Sequence, residues 1–179
     1  GKEICDHFHQ KARELNQMWY SEVKEQYRLA FLPVRSDEGQ RYIHWMNLAM
    51  DYAFENRARK LDKTCSIIEE IVLKHTGHRP EFGDEINCHH NYAALENHYD
   101  ANVWVHRKGA TRVREGELAV IPGAMGSYSY VVQGKGHKES FCTSSHGAGR
   151  SYSRTGAKQA FSVEQVIVDL KEQGVILGK

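Results

Sequence analysis

Hydrophobic periodicity changes once along this chain, near Gly77, and that change limits the folds open to it. Before Gly77, apolar side chains recur at three- and four-residue steps, the pattern of amphipathic helices. After it, short β-rich runs are separated by glycine-containing turns, the pattern of a sheet with loops between its strands. A chain built this way is α+β, and 179 residues suffice for one domain with a substantial core. We therefore read a helical part over residues 1–80, a β-rich part over 81–161 and a closing helix over 162–174.

Ile4, Phe8, Ala12, Leu15, Trp19 and Val23 form the stripe of a first helix reaching to about Tyr27. His7 and His9 sit on it two apart, so they face different directions and are not expected to share a ligand. Pro33 breaks the pattern, and Ser36-Asp37-Glu38-Gly39 reads as a turn into a second helix. That helix carries Tyr42, Trp45, Met46, Ala49, Tyr52 and Ala53 toward Arg57; a stripe of this kind is packing surface. Ile67, Ile68, Ile71 and Val72 mark a third, with Gly77 at its stop. Strands are expected at Val103 to Val105, Leu118 to Ile121 and Tyr128 to Val132. Ser162-Val163-Glu164-Gln165 resembles a capping box, and Val163, Val166, Ile167 and Leu170 give the last helix an apolar face that ends by Gly174.

Charge is distributed unevenly. From Trp104 to Ala160 there are nine basic residues (Arg107, Lys108, Arg112, Arg114, Lys135, Lys138, Arg150, Arg154, Lys158) against three acidic ones (Glu115, Glu117, Glu139). Residues 1–103 hold 13 basic and 17 acidic residues, so the β-rich half is the half suited to an anionic partner. Cys5, Cys65, Cys88 and Cys142 are far apart with no CxxC pair, which argues against a disulfide framework or a zinc ribbon and for reduced thiols. No apolar run of about 18 residues and no signal-peptide pattern occurs, so the expectation is a cytoplasmic chain that no membrane holds.

Four loops in the basic half carry chemistry. Ser144 to Arg154 holds one imidazole (His146), two guanidiniums (Arg150, Arg154), four serine hydroxyls and two glycines. Histidine can act as a nucleophile, and nearby arginines can neutralise charge on a phosphoryl group under attack. Cys88-His89-His90-Asn91 offers imidazoles to a divalent metal, although a hydrogen-bonded core histidine reads equally well from the residues alone. His106-Arg107-Lys108-Gly109-Ala110-Thr111 places two permanent cations beside a glycine and a hydroxyl, which suits a phosphate or a solvated turn. Pro122-Gly123-Ala124-Met125-Gly126-Ser127 follows an apolar strand and is expected to offer free backbone amides to a nucleotide.

The four loops together resemble the RtcB-type RNA ligase family. CHHNYA stands at residues 88–93, HRKGAT at 106–111, PGAMGSYSYVVQG at 122–134 and HGAGRSYSR at 146–154, in the family's order and spacing. AMDYAFENR at 49–57 also resembles a helical stretch that precedes these loops, so the resemblance covers essentially the whole chain. It implies a ligase joining RNA 3′-phosphate or 2′,3′-cyclic phosphate ends to 5′-hydroxyl ends, as in tRNA splicing or RNA repair, with GTP and Mn²⁺ as cofactors. On matching positions it implies His146 as the nucleophile that carries GMP and His90 as a Mn²⁺ ligand, with Asn91 beside it touching the nucleotide. Pro122, Gly123, Ala124, Met125, Ser129, Gly147, Ala148 and Gly149 would line the guanylate pocket. Lys108, Arg150 and Arg154 would contact phosphate or RNA.

The same resemblance implies sequence on both sides of this chain. Gly1 would close an upstream histidine-bearing glycine motif, further metal ligands (an aspartate, a cysteine and two histidines) would precede it, and a guanine-holding lysine would follow, distinct from Lys179. A fragment of this kind is expected to be inactive alone, and a non-catalytic nucleotide- or RNA-binding role is the alternative; the resemblance leaves room for a protein activator. A metal-dependent phosphoesterase built on His90 and His106 is disfavoured because acidic ligands are scarce around the loops. Two departures from the family pattern stand out: Ala124 replaces a common serine, and Tyr128 and Tyr152 are larger or more polar than the usual residues, so a tuned pocket is expected.

Overall fold

The computed structural model describes residues 1–178; the expectation about Lys179 lies outside the described residues. The chain is α+β and divides into two compact units, Gly1–Gly83 and Asp84–Lys179.

The first unit is helical. Helix α1 (Lys2–Met18) buries Phe8, Ala12 and Asn16, which recur at four-residue steps along one face. Phe8 packs edge-on against Tyr42 of helix α2 (Asp37–Thr76), with ring centroids 5.4 Å apart. Asn16 is 1% exposed, and its amide pairs with both backbone groups of Phe31 at 2.9 Å, tying the returning chain to α1. The helix therefore stops at Met18 instead of continuing to Tyr27. Tyr20 turns left-handed at φ 54° and Ser21 N–H reaches back to Asn16 O at 2.9 Å, a helix-closing turn made without glycine.

Helix α2 begins as the sequence suggests. Ser36 Oγ accepts from Gly39 N–H at 3.1 Å, and a side chain at Gly39 would collide with the Pro33 carbonyl. It ends at Gly77, left-handed at φ 75°, whose N–H meets Leu73 O at 2.9 Å. The second and third helices read from the sequence are one element of 40 residues, about 60 Å long at 1.5 Å per residue. Arg57 to Lys63 lacks an apolar stripe yet contains nothing that breaks a helix, and Arg59 pairs with Glu55 at 2.6 Å across one turn.

The second unit holds three two-stranded antiparallel sheets: β1 (Asn91–His98) with β2 (Ala101–Lys108), β3 (Ala110–Arg112) with β6 (Thr143–Ser145), and β4 (Leu118–Ile121) with β5 (Tyr130–Gln133). The β1–β2 register runs from Asn91 opposite Lys108 to His98 opposite Ala101. Its two-residue turn is Tyr99-Asp100, with φ 53° and 61°, the left-handed pair that a tight hairpin requires. Helix α3 (Arg154–Ala160) is an addition to the β-rich reading of residues 81–161. Ser153 Oγ caps it by accepting from Gly156 N–H at 2.9 Å, but Gly156 weakens the helical signal in the sequence. Helix α4 (Val163–Glu172) makes half of the expected capping box: Gln165 N–H donates to Ser162 Oγ at 3.1 Å, while the Gln165 side-chain amide donates forward to Asp169 Oδ1 at 2.7 Å. Leu170 is buried and Val166 and Ile167 are half-buried, whereas Val163 is exposed. A side chain on Gly126 would meet Leu170 and Gln173, so α4 and the turn after it back the loop between β4 and β5.

Candidate active site

The second unit brings His90 and His146 together. His90 precedes β1, His146 follows β6, and their rings stack with centroids 4.8 Å apart and planes 13° from parallel. Pairing of β3 with β6, with Ala110 opposite Ser145, delivers His146 to the end of β2. Gly109 sits between them at φ 66°, and its N–H donates to His90 O at 2.8 Å and to Asn91 Oδ1 at 2.9 Å. An added Cβ there would lie 3.3 Å from His146 Cε1 and 3.4 Å from Nδ1, so any side chain would be strained at this φ and would push the imidazole away by a few tenths of an ångström. Around His146, Ser145 Oγ accepts from Gly147 N–H at 3.3 Å and donates to Gly147 O at 2.8 Å, which fixes the turn that presents the ring.

The loop between β4 and β5 lies beside this pair. Ala148 N–H donates to Pro122 O at 3.2 Å, and a side chain on Gly147 would also contact that carbonyl. Between them opens a cleft of about 330 Å³ lined by Ile121, Pro122, Gly123, Gly126, Ser127, Tyr128, Tyr130 and Ala148. Of the residues expected at a guanylate pocket, Pro122, Gly123 and Ala148 line this cleft. Ala124, Met125, Ser129 and Gly149 are exposed, and Gly147 is half-buried.

The expectation of free amides in this loop is corrected at three positions, one of them Ser127, whose N–H donates to Ala124 O at 3.0 Å. Gly123 N–H donates to Ser129 Oγ at 3.1 Å and Ala124 N–H to Ser127 Oγ at 2.7 Å, so the loop's own serines satisfy them. Tyr128 borders the cleft, while Tyr152 packs edge-on against Phe161 with centroids 5.4 Å apart.

Electrostatics correct a second expectation. Arg107, counted among the phosphate-facing cations, is 3% exposed. It forms a two-pronged ion pair with Glu96 at 2.5 and 2.9 Å, donates to Thr143 Oγ1 at 3.0 Å and Phe141 O at 2.8 Å, and lies 5.6 Å over the Tyr92 ring. Burial alone would raise the Glu96 pKa, but hydrogen bonds with Arg107 and His98 outweigh it and hold the carboxyl at about 2. Burial works against the Arg107 charge too, and its bonds to Glu96 and Tyr92 outweigh that and raise its pKa. Arg112 is taken up by Glu117 at 3.0 Å. Burial would raise the Glu117 pKa, but the Arg114 N–H and the Arg112 guanidinium lower it. Lys108, Arg150 and Arg154 are exposed and form no ion pair among the described residues, so with Arg114, Lys135, Lys138 and Lys158 they carry the positive field that remains.

His106 is exposed on β2 opposite Ala93, and the stacked partner of His90 is His146. Among the described residues no group of three His, Cys, Asp or Glu side chains converges as a metal shell. Among them, no helix is long and apolar enough to cross a membrane.

Sequence reasoning did not find the roles of Gly109, Arg107 and Glu96. Gly109 was visible as a glycine beside two cations; the Glu96–Arg107 pair needs the β1–β2 register, in which Glu96 stands opposite Val103 and Arg107 opposite Tyr92.

Over residues 1–179 the chain matches the family described as tRNA-splicing ligase RtcB. The RNA-splicing ligase RtcB of Escherichia coli strain K12 is 42% identical over 133 residues, 73% of this chain and 32% of that protein. The RNA-splicing ligase RtcB homolog 1 of Entamoeba histolytica is 32% identical over 202 residues, 99% of this chain and 36% of its own length. The tRNA-splicing ligase RtcB of Methanopyrus kandleri is 31% identical over 205 residues, again 99% of this chain but 21% of its own length. The chain belongs to the RtcB tRNA-splicing ligase family. It spans about a third of the length of the Escherichia coli and Entamoeba proteins.

Proposed function

We propose that these residues serve a GTP-dependent RNA ligase in which His146 carries GMP between GTP and an RNA end. The observation that supports it most is the stacked His90–His146 pair beside the glycine-lined cleft that starts at Pro122. Gly109 lies against the Nδ1 and Cε1 side of His146, which points to Nε2 as the attacking nitrogen. Neutral Nε2 attacks the α-phosphorus of GTP, an N–P bond forms, and the bond to the bridging oxygen breaks to release pyrophosphate. The RNA 3′-phosphate then takes GMP and frees the imidazole. A 5′-hydroxyl displaces GMP in turn and forms the phosphodiester. A 2′,3′-cyclic phosphate enters after water opens it to the 3′-phosphate.

Asn91, with its oxygen committed to Gly109 N–H, keeps its amide hydrogens for the nucleotide. Lys108, Arg150 and Arg154 supply exposed positive charge for the RNA backbone. His90 would offer one imidazole to Mn²⁺; the described residues do not complete a metal site by themselves. The exposed cations and the cleft beside Pro122 also fit a second reading, in which this stretch binds nucleotide or RNA without catalysis.

A ligation assay separates the two. The complete protein carrying this sequence is given GTP, Mn²⁺ and two RNAs, one ending in a 2′,3′-cyclic phosphate and one beginning with a 5′-hydroxyl. The ligase reading expects a joined product that His146→Ala abolishes. Binding of GTP or RNA with no product would support the second reading.

A further inference from the structure

We infer that Arg107 is a positioning residue whose bonds across two sheets hold His146 in register with His90. This inference rests on the ligase reading above for its catalytic consequence, and on geometry for its structural one.

The chain passes from the β1–β2 sheet to the β3–β6 sheet through the single residue Gly109, left-handed at φ 66°. Gly109 N–H and Ala110 N–H both donate to His90 O, at 2.8 and 3.3 Å, which ties the junction at one point; a second tie farther along the strands fixes the relative setting of the two sheets. His90 leads into the first sheet and His146 leaves the second, so their stacking depends on that setting. Arg107 spans it. From β2 it grips Glu96 and Tyr92 on β1, and with the same guanidinium it donates to Thr143 Oγ1 at the start of β6 and to Phe141 O just before it. Its planar fork carries five donors to acceptors on both sheets at once, whereas a lysine ammonium offers three from a single point.

An independent observation marks the same place. Phe141 and Cys142 are both left-handed, at φ 53° and 49°, and neither is glycine. Consecutive strained residues persist where their surroundings over-determine them, and they concentrate at functional sites. Here the Phe141 carbonyl is held by Arg107 Nη2 at 2.8 Å and by Thr143 Oγ1 at 3.1 Å, while its ring packs on His98, centroids 4.8 Å apart. His98 Nε2 lies 2.9 Å from Glu96 Oε2, which ties the ring back to the carboxylate that Arg107 grips. The strained bend feeds β6, and β6 ends one residue before His146.

The test uses the complete protein carrying this sequence, with three readouts: transfer of label from α-labelled GTP to protein, the dissociation constant for GTP, and the cross-relaxation between the His90 and His146 ring protons by NMR. Three variants are compared with the parent: Arg107→Lys, the double variant Glu96→Gln/Arg107→Met, which removes both buried charges together, and Thr143→Val. The expected result is loss of the ring–ring signal and a labelling rate about 100-fold lower, the size of effect that a misplacement near 1 Å produces, with GTP affinity unchanged. Thr143→Val removes one cross-sheet bond without stranding a charge, so it decides the matter if the charge variants fold poorly. Folded variants that keep both the ring–ring signal and the parental labelling rate overturn the inference. If the parent takes up no label, the ligase reading fails, and the ring–ring signal in parent and variants still decides whether Arg107 sets the histidine pair.

Discussion

The stretch around Arg107 and the stretch around Arg150 carry the same side chain in similar polar company, within one compact unit, and they do opposite work. Arg107 points its charge inward, where Glu96, Tyr92 and two β6-side acceptors take up its five donors. Arg150 stands exposed four residues after His146 and forms no ion pair among the described residues. A basic motif counts as binding surface only after its internal partners are subtracted. Here the subtraction removes Arg107 and Arg112 from the nine cations of the basic half and leaves seven exposed, with Lys108, Arg150 and Arg154 among them in the motifs that carry His146 and His106.

The comparison predicts effects of very different size. The largest is Arg107→Ala, which strands a buried carboxylate; urea unfolding should show a loss of about 3–5 kcal/mol. A loss below about 1 kcal/mol, the range of surface pairs, would place Arg107 in the same class as Arg150. A smaller effect follows from pH. The Glu96 carboxyl is held at about 2 against an ordinary value of 4.5, so the stability it contributes is complete above pH 4.5 and drains away as pH falls toward 2. Acid titration of the parent should show this loss, and Glu96→Gln should flatten it; an unchanged acid profile would mean that the pair is weaker than its geometry.

Gly109→Ala comes next. Left-handed backbone costs a residue with a Cβ about 1–2 kcal/mol, and the new methyl presses on His146, so labelling should slow even where the variant is folded. Labelling at the parental rate would remove the close approach from the account. The smallest effect is Arg150→Ala, less than about 0.5 kcal/mol of stability, while affinity for RNA falls and its salt dependence becomes shallower. Unchanged RNA affinity and salt slope would show that exposure alone does not make Arg150 a contact.

How much of this was legible depends on where the information sits. Helices α2 and α4 announce their starts because Ser36 and Ser162 cap them locally, and Gly77 marks a stop for the same reason. The end of α1, the β1–β2 turn and the bend before β6 are invisible because Tyr20, Tyr99, Asp100, Phe141 and Cys142 take left-handed backbone without the glycine that signals it. The chemistry-bearing loops are readable as words, His90, Pro122 to Ser127 and His146 to Arg154 among them. Their meeting depends on β3 pairing with β6, two three-residue strands too short to show a period of their own. Gly109 and the Glu96–Arg107 pair belong to that hidden layer: their roles come from register and from closeness across the fold.

In the proposed reaction one imidazole, at position 146, carries the nucleotide. The most direct test of that step is to incubate the complete protein with GTP and Mn²⁺, digest it under conditions that preserve a phosphoramidate, and locate the GMP adduct by fragmentation mass spectrometry. The account predicts a base-stable, acid-labile adduct on His146 that disappears in His146→Ala. An adduct on a lysine or on another histidine, or one that survives His146→Ala, would contradict it.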